Sequence, residues 1–337
     1  MRGSEWNTGN GGRGAGVGSS LDEPRGRRKK TRFCDGAALA GVAAALIAVV
    51  LWSTNAVAAK FALAEFGVVQ ALALQFGGAT VTLAALRALR SAEAGGCRTA
   101  IRWASLYSPD VLGGVMVGVF GLTGTIFLQY LAFATAPIVE ANVISYGWPL
   151  FAALWAALAY RSRQTLAGVP LAMVGFAGVA IMLGSGGGFG STGGSAGYVA
   201  ALASAVCMTF YTIISGRMRV SADTVLLPAT VFGMVSSLTL CFAGLAPWLW
   251  TSASPGAWAA SVYAGVGPMA GGFLLWSRAM SGDGAKSLAP LGYATPLLST
   301  TLLVLAGETF TSGALLGAAL VLVCSIGVLI VGGKGRG

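Results

Sequence analysis

Gly118-Val-Phe-Gly-Leu-Thr-Gly-Thr-Ile-Phe-Leu-Gln-Tyr-Leu-Ala-Phe-Ala-Thr-Ala-Pro-Ile-Val-Glu-Ala-Asn-Val-Ile-Ser-Tyr-Gly-Trp-Pro-Leu150 is a 33-residue stretch whose plan returns without a gap 147 positions later, as Gly265 to Leu297. Eight positions are identical, among them Gly118-Val119 against Gly265-Val266, and Tyr146, Pro149 and Leu150 against Tyr293, Pro296 and Leu297. Each copy covers two long apolar segments, with a Tyr-x-x-Pro-Leu inside the second. A further correspondence joins Gly41-x-x-Ala-Ala-Leu46 to Gly197-x-x-Ala-Ala-Leu202, 156 positions on, and another joins Gly168 and Gly178 to Gly317 and Gly327, 149 positions on. Offsets this similar make the chain two halves of one plan. In membranes that is an architecture of transporters, with the site where the halves meet.

Composition supplies the membrane. Mean hydropathy is +0.76, and only 9% of residues are charged against 55% hydrophobic. A soluble domain carries roughly a quarter charged residues, so this chain has too few to cover a wet surface. Apolar runs near the length that crosses a bilayer as a helix recur along it. They are read as 37–60, 68–87, 110–134, 137–160 and 164–184 in the first half, and 195–216, 225–250, 257–278, 285–307 and 311–332 in the second. The runs are continuous rather than alternating, which excludes a barrel.

Charge placement sets the topology. Counting from a cytoplasmic N-terminus, 20 of the 21 Lys and Arg residues fall on one side, with Lys60 the exception. Lys and Arg mark cytoplasmic loops, so both termini are expected in the cytoplasm and Gly186–Gly194 outside. Five helices per half then make the repeat inverted. The expected fold is an all-α integral membrane protein, with ten transmembrane helices in two inverted five-helix repeats around a central cavity. Its parts are a disordered basic tail (1–36), a first repeat (37–184) and a second (195–332). The net charge of +10 is this topology signal, spread over short loops where it meets lipid headgroups; no nucleic-acid partner is expected. The tail lacks the short apolar stretch and cleavage site of a signal peptide.

Missing residues exclude most chemistry. The chain has no histidine, which removes imidazole triads, ordinary metal sites and histidine proton relays. The five cysteines are odd in number and unpatterned, and no phosphate loop or hydrolase motif appears. No enzyme activity, metal or cofactor is expected. What remains is polar and aromatic groups inside helices, which are costly in lipid and belong on the bundle interior. Asn142, Ser145, Tyr146 and Pro149 share one helical face, and Tyr293 and Pro296 repeat it. A mid-helix proline cannot donate to the carbonyl four residues back. Pro149 would free the Ser145 carbonyl and Pro296 that of Gly292, giving two hinges, or else two static kinks. Trp52, Asn55, Tyr130, Trp148 and Tyr211 complete the expected cavity lining, while Gln75 reads equally as lining or core. Lys60 and Glu140 are the isolated charges, for coupling or for structure. The apolar helices 164–184 and 311–332 read as scaffold or dimer surface, leaving monomer and homodimer both open.

Trp52-Ser-Thr-Asn55 with Lys60 five residues on, the Ala-Pro-Ile-Val-Glu-Ala-Asn142 stretch and the Tyr-x-x-Pro cores resemble the EamA branch of the drug/metabolite transporter superfamily over roughly residues 37–332. Within it the chain is most similar to the bacterial aromatic amino-acid exporters of the YddG type. The resemblance implies ten helices in an inverted repeat, a central cavity, an inner-membrane location and export of amino acids by alternating access. The residues agree on substrate class: phosphates would need several cavity cations and a dedicated cation site a buried carboxylate. An aromatic-lined, uncharged cavity suits a neutral zwitterion, aromatic or hydrophobic foremost, with small neutral ones as a further class. Export of other metabolites or drugs and a channel-like pore stay open as alternatives, as does proton-coupled against facilitated transport.

Overall fold

The computed structural model describes residues 25–93, 108–161, 163–185, 194–218, 221–245, 250, 252–280, 291–292, 294–309 and 312–333. Every regular element among them is helical. Residues 1–24, the 186–193 link and the candidate Tyr293 lie outside the described residues.

The first span is α1 (Arg25–Ser53) followed, across a one-residue break at Thr54, by α2 (Asn55–Leu63). The break has a local cause. Ser53 Oγ donates to the Val49 carbonyl at 2.7 Å and Thr54 Oγ1 to that of Leu51 at 2.7 Å, and such back-bonding bends helices. Helix α1 starts at Arg25, inside the segment assigned to the disordered tail. Arg and Lys are good helix formers, and adding residues to a helix already nucleated costs little. The chain divides into two compact units, Met1–Leu39 and Ala40–Gly337, and the second carries all that follows.

The remaining elements are α3 (Val68–Glu93); α4 (Pro109–Met116) continuing through a π-helical turn, π1 (Val117–Thr123), into α5 (Gly124–Thr135); α6 (Ile138–Ser145) and α7 (Trp148–Tyr160); α8 (Arg163–Ser185); α9 (Gly194–Ser215); α10 (Ala222–Phe242); α11 (Pro255–Ala264), π2 (Gly265–Gly272) and α12 (Phe273–Met280); α13 (Ala294–Leu305); and α14 (Ser312–Gly333). Seven helical segments are long and apolar enough to cross a membrane: Leu39–Leu63, Val68–Glu93, Pro109–Thr135, Ile138–Tyr160, Ser195–Ser215, Ala222–Phe242 and Pro255–Met280. The other three expected spans are represented by shorter apolar stretches, Val169–Ile181, Ala294–Leu305 and Leu315–Cys324. Among the described residues, seven of the ten expected spans therefore reach membrane-crossing length and composition.

Two expectations about prolines are corrected. Pro149 does not kink a continuous helix; it is the second residue of α7, after a break at Tyr146 and Gly147. Pro296 sits in the first turn of α13. A missing N–H is harmless in a first turn, where no intrahelical acceptor exists for it. These prolines start helices instead of freeing mid-helix carbonyls.

The helices close on one another through small residues, as apolar helices in lipid must. A methyl placed on Gly118 would lie 2.3 Å from the Val225 carbonyl oxygen, and one on Gly265 would lie 2.1 Å from that of Gln75. Gly265 is Gly118 moved by 147 positions, and Val225 is Gln75 moved by 150. The contact thus recurs with the halves exchanged. The same exchange relates Gly124–Cys207 to Gly271–Leu51, and Gly178–Leu320 to Gly327–Leu171. The last pair is the seam of α8 and α14, whose small faces close on each other. The two π turns also coincide under the 147-residue offset, to within two residues at either end. In π2 Pro268 removes a backbone donor; Thr125 Oγ1, at the start of α5, donates to the carbonyl of Gly121 in π1 at 2.6 Å.

Candidate functional site

Between these helices lies a cavity of about 790 Å³. Along α3 it reaches from Gln75 to Arg90, a depth of about 22 Å at 1.5 Å per residue. At the Arg90 end its lining includes exposed residues, among them Gly216, Ser221 and Arg278, and the cavity opens there. The opposite end is closed by a buried core that includes Phe66, Leu72, Phe76, Tyr130 and Phe133.

Aromatic rings line the middle. Trp52 meets Phe273 edge-on, with centroids 5.1 Å apart at 65°, and Trp276 at 5.2 Å; Tyr211 meets Phe273 edge-on at 5.9 Å. Tyr146 lies in the break between α6 and α7 and Trp148 directly after it, and the Tyr146 hydroxyl donates to the Trp52 carbonyl at 3.3 Å. The break is why two aromatic residues so near in sequence both reach the cavity. Thr209 Oγ1, on α9, donates to the Trp148 carbonyl at 2.9 Å and holds the start of α7. Edge-to-face ring pairs of this kind fix geometry as well as burying area.

Of the residues expected to line a site, Trp52, Asn55, Gln75, Ser145, Tyr146, Trp148 and Tyr211 do line this cavity. Tyr130 and Asn142 do not: Tyr130 is fully buried beside Phe133, and Asn142 turns into the core, donating to Ser299 Oγ at 3.0 Å and tying α6 to α13. Glu140, buried in the first turn of α6, accepts a hydrogen bond from the Tyr198 hydroxyl and also stays off the cavity. A carboxylate there is favoured by the helix N-terminus. Lys60 lies in a separate cleft, paired with Glu308 at 2.7 Å and donating to the Ala306 carbonyl at 2.7 Å. Gly307, at φ +89°, ends α13 and leaves that carbonyl for Lys60. Pro149 and Pro296 are buried behind the lining.

Sequence reasoning missed Arg90 and Asp223, which form a 3.0 Å ion pair at the open end, and also Thr125, Phe273 and Thr295. The repeat could have found some of them. Ile126 and Phe273, Gln129 and Trp276, Ser145 and Gly292, and Trp148 and Thr295 are pairs 147 positions apart, and every member lines the cavity. Trp52 with Met208 and Asn55 with Tyr211, at the 156-residue offset, do the same. Matching positions of the two halves therefore surround one space.

Among the described residues no cluster of metal-ligating side chains occurs. Comparison with known proteins fits this picture. The aromatic amino acid exporter YddG of Ancylobacter novellus is 36% identical over 219 residues, covering 64% of this chain and 72% of that protein. A crystal structure of a protein 30% identical aligns with a TM-score of 0.58 over 88% of this chain and 95% of that one. The sequence profile of the EamA-like transporter family matches twice, at residues 39–184 and 195–331. By its two profile matches and its exporter relative, the chain belongs to the EamA-like transporter family.

Proposed function

We propose that this chain exports neutral amino acids, aromatic and hydrophobic ones foremost, from the cytoplasm across the inner membrane by alternating access. The observation that carries this is the 790 Å³ cavity itself, ringed by Trp52, Tyr146, Trp148, Tyr211, Phe273 and Trp276. A volume in this range, mostly apolar with a few polar groups, suits one small organic molecule. The exporter relative handles aromatic amino acids by name, and the rings here offer the faces such side chains stack on.

The architecture proposed is ten helices in two inverted halves, 37–184 and 195–332, with a basic tail at 1–36 and both termini cytoplasmic. The exchanged glycine contacts support it, since a pseudo-twofold axis makes residue i of one half meet residue j of the other and the reverse. Sidedness follows from charge: the cavity opens where Arg90 and Arg278 lie, and Arg-rich ends face the cytoplasm. The state seen is then open to the cytoplasm, ready to load. The breaks at Thr54 and at Tyr146–Gly147 are the hinges about which the halves rock.

The test is uptake into proteoliposomes with a panel of amino acids, sugars and cationic dyes, with and without a pH gradient. Saturable, stereoselective flux of Phe and Trp is expected, and unsaturable flux would mean a pore. Tyr146→Ala and Trp148→Ala should each weaken Phe relative to Thr by up to about tenfold, the worth of one aromatic contact. An unchanged Phe-to-Thr ratio in both would reduce these rings to packing.

A further inference from the structure

Several residues lining the cavity carry buried polar atoms with no hydrogen-bond partner: Trp52 Nε1, Asn55 Oδ1, both amide atoms of Gln75, Ser145 Oγ and Thr295 Oγ1. Asn55, Gln75, Ser145 and Thr295 are 7%, 1%, 4% and 1% exposed. Buried polar groups in native proteins are nearly always paired, and each exception calls for an explanation. Of the thirteen such atoms among the described residues, these six and Arg90 Nη2 belong to residues that line this one cavity. Gln75 lies fifteen residues from Arg90 along α3, and Asn55 lies beyond Trp52, toward the closed end. Asn55 is held by its own amide, whose Nδ2 donates to Gln129 Oε1 at 3.5 Å. Gln75 is held by its backbone, wedged against Gly265.

We propose that these five side chains are the headgroup pocket for a zwitterionic α-amino acid, which enters headgroup first and leaves its side chain among the rings nearer the open end. This rests on the export reading above. The ammonium carries three donors, and Asn55 Oδ1 and Gln75 Oε1 are the free acceptors. The carboxylate only accepts, and the Trp52 indole N–H and the Ser145 and Thr295 hydroxyls are free donors. None of the five is charged. A lone ammonium or carboxylate would be buried there without a counter-charge, at high cost, whereas a zwitterion brings its own. The pocket therefore reads the headgroup and rejects molecules carrying one charge of the two, while the rings read the side chain.

The experiment is Phe uptake by the unmodified protein in proteoliposomes, competed by Thr, by phenethylamine (Phe without its carboxylate) and by 3-phenylpropionate (Phe without its ammonium). Each one-charge analogue should compete at least tenfold more weakly than unlabelled Phe. Either one competing within tenfold overturns the proposal, without any variant having to fold. In parallel, Gln75→Leu and Asn55→Leu should raise the half-saturation concentration at least tenfold for Phe and Thr alike, keeping their ratio within twofold. A smaller rise, or a loss confined to Phe, overturns it as well. Absence of all amino-acid uptake by the unmodified protein would instead sink the export reading on which it stands.

Discussion

A single methyl at Gly118 or Gly265 tests the packing that builds the cavity. The added carbon would sit 2.3 Å from the Val225 carbonyl oxygen in one case and 2.1 Å from that of Gln75 in the other. Ordinary carbon–oxygen contacts begin near about 3.3 Å, so each alanine must drive two backbones apart by about 1 Å. Neither obstacle is the end of a flexible side chain. Overpacking of this kind costs about 1–3 kcal/mol, and a backbone collision belongs at the upper end. Alanine regains up to about 1 kcal/mol of helix propensity, leaving a net loss near 2 kcal/mol. At about 2 °C per kcal/mol for a large chain, each variant should melt about 4 °C below the parent. The assay is detergent-solubilised melting at one fixed scan rate, because unfolding of such proteins is commonly irreversible. Gly256→Ala, where the nearest atom is 3.6 Å away, serves as the control and should raise the melting temperature by no more than about 2 °C, the worth of its own propensity gain. Because the two contacts exchange under the repeat, their costs should match, and the double variant should show their sum. If either glycine variant melts with the control, the reciprocal contact is wrong.

Further outcomes follow from the ends of the spans. Lys60→Glu should lower the melting temperature and Lys60→Glu with Glu308→Lys should recover most of the loss, since the pair bridges α2 and the end of α13; the Phe-to-Thr uptake ratio should not move in either. Pro149→Ala lets α7 continue back through Gly147 and so should slow uptake several-fold, while the half-saturation concentration stays within twofold; an unchanged rate would make the break a static feature. The Ser254 hydroxyl and amide hold the Glu65 carboxyl below its usual range. Its contribution is therefore present above the ordinary carboxylate pKa and is lost as pH falls through the lowered one. Glu65→Gln should flatten the acid-side fall in melting temperature, and an identical pH profile would show that this contact does not contribute.

Seven of the ten expected spans were legible, because hydropathy reports a length and the membrane fixes that length. Breaks were not, because hydropathy is blind to them: nothing apolar changes at Thr54, and the hydroxyls that bend the chain there are common within helices. Proline marked the right place between α6 and α7 and was given the wrong role, since Pro149 looks the same in sequence whether it kinks a helix or starts one. Mid-span position, a shared helical face and the repeat picked out Trp52, Asn55, Ser145, Tyr146, Trp148 and Tyr211 as cavity residues. They could not tell that Asn142 and Tyr130 face the core, because that depends on how each helix is rotated. Thr295 was hidden in an apolar run, although its partner under the repeat, Trp148, was already marked. Arg90 was counted as a loop charge, and only the continuation of α3 to Glu93 brings it to the cavity.

The exchanged contacts have a consequence for how the two halves came to share one chain. Each half holds both members of every such contact: Gln75 and Gly118 precede the link, Val225 and Gly265 follow it. Two antiparallel copies of the first half would rebuild the seam as Gly118 on Gln75, twice over, in the manner of a symmetric dimer. The shape of the seam asks for no second sequence. In the inverted arrangement proposed above, Arg87, Arg90, Arg161 and Arg163 lie at the same-side ends of the first half's spans, and would commit it to a single direction of insertion. Fusion into one polypeptide would let each half carry its own orientation signal on an unchanged contact surface.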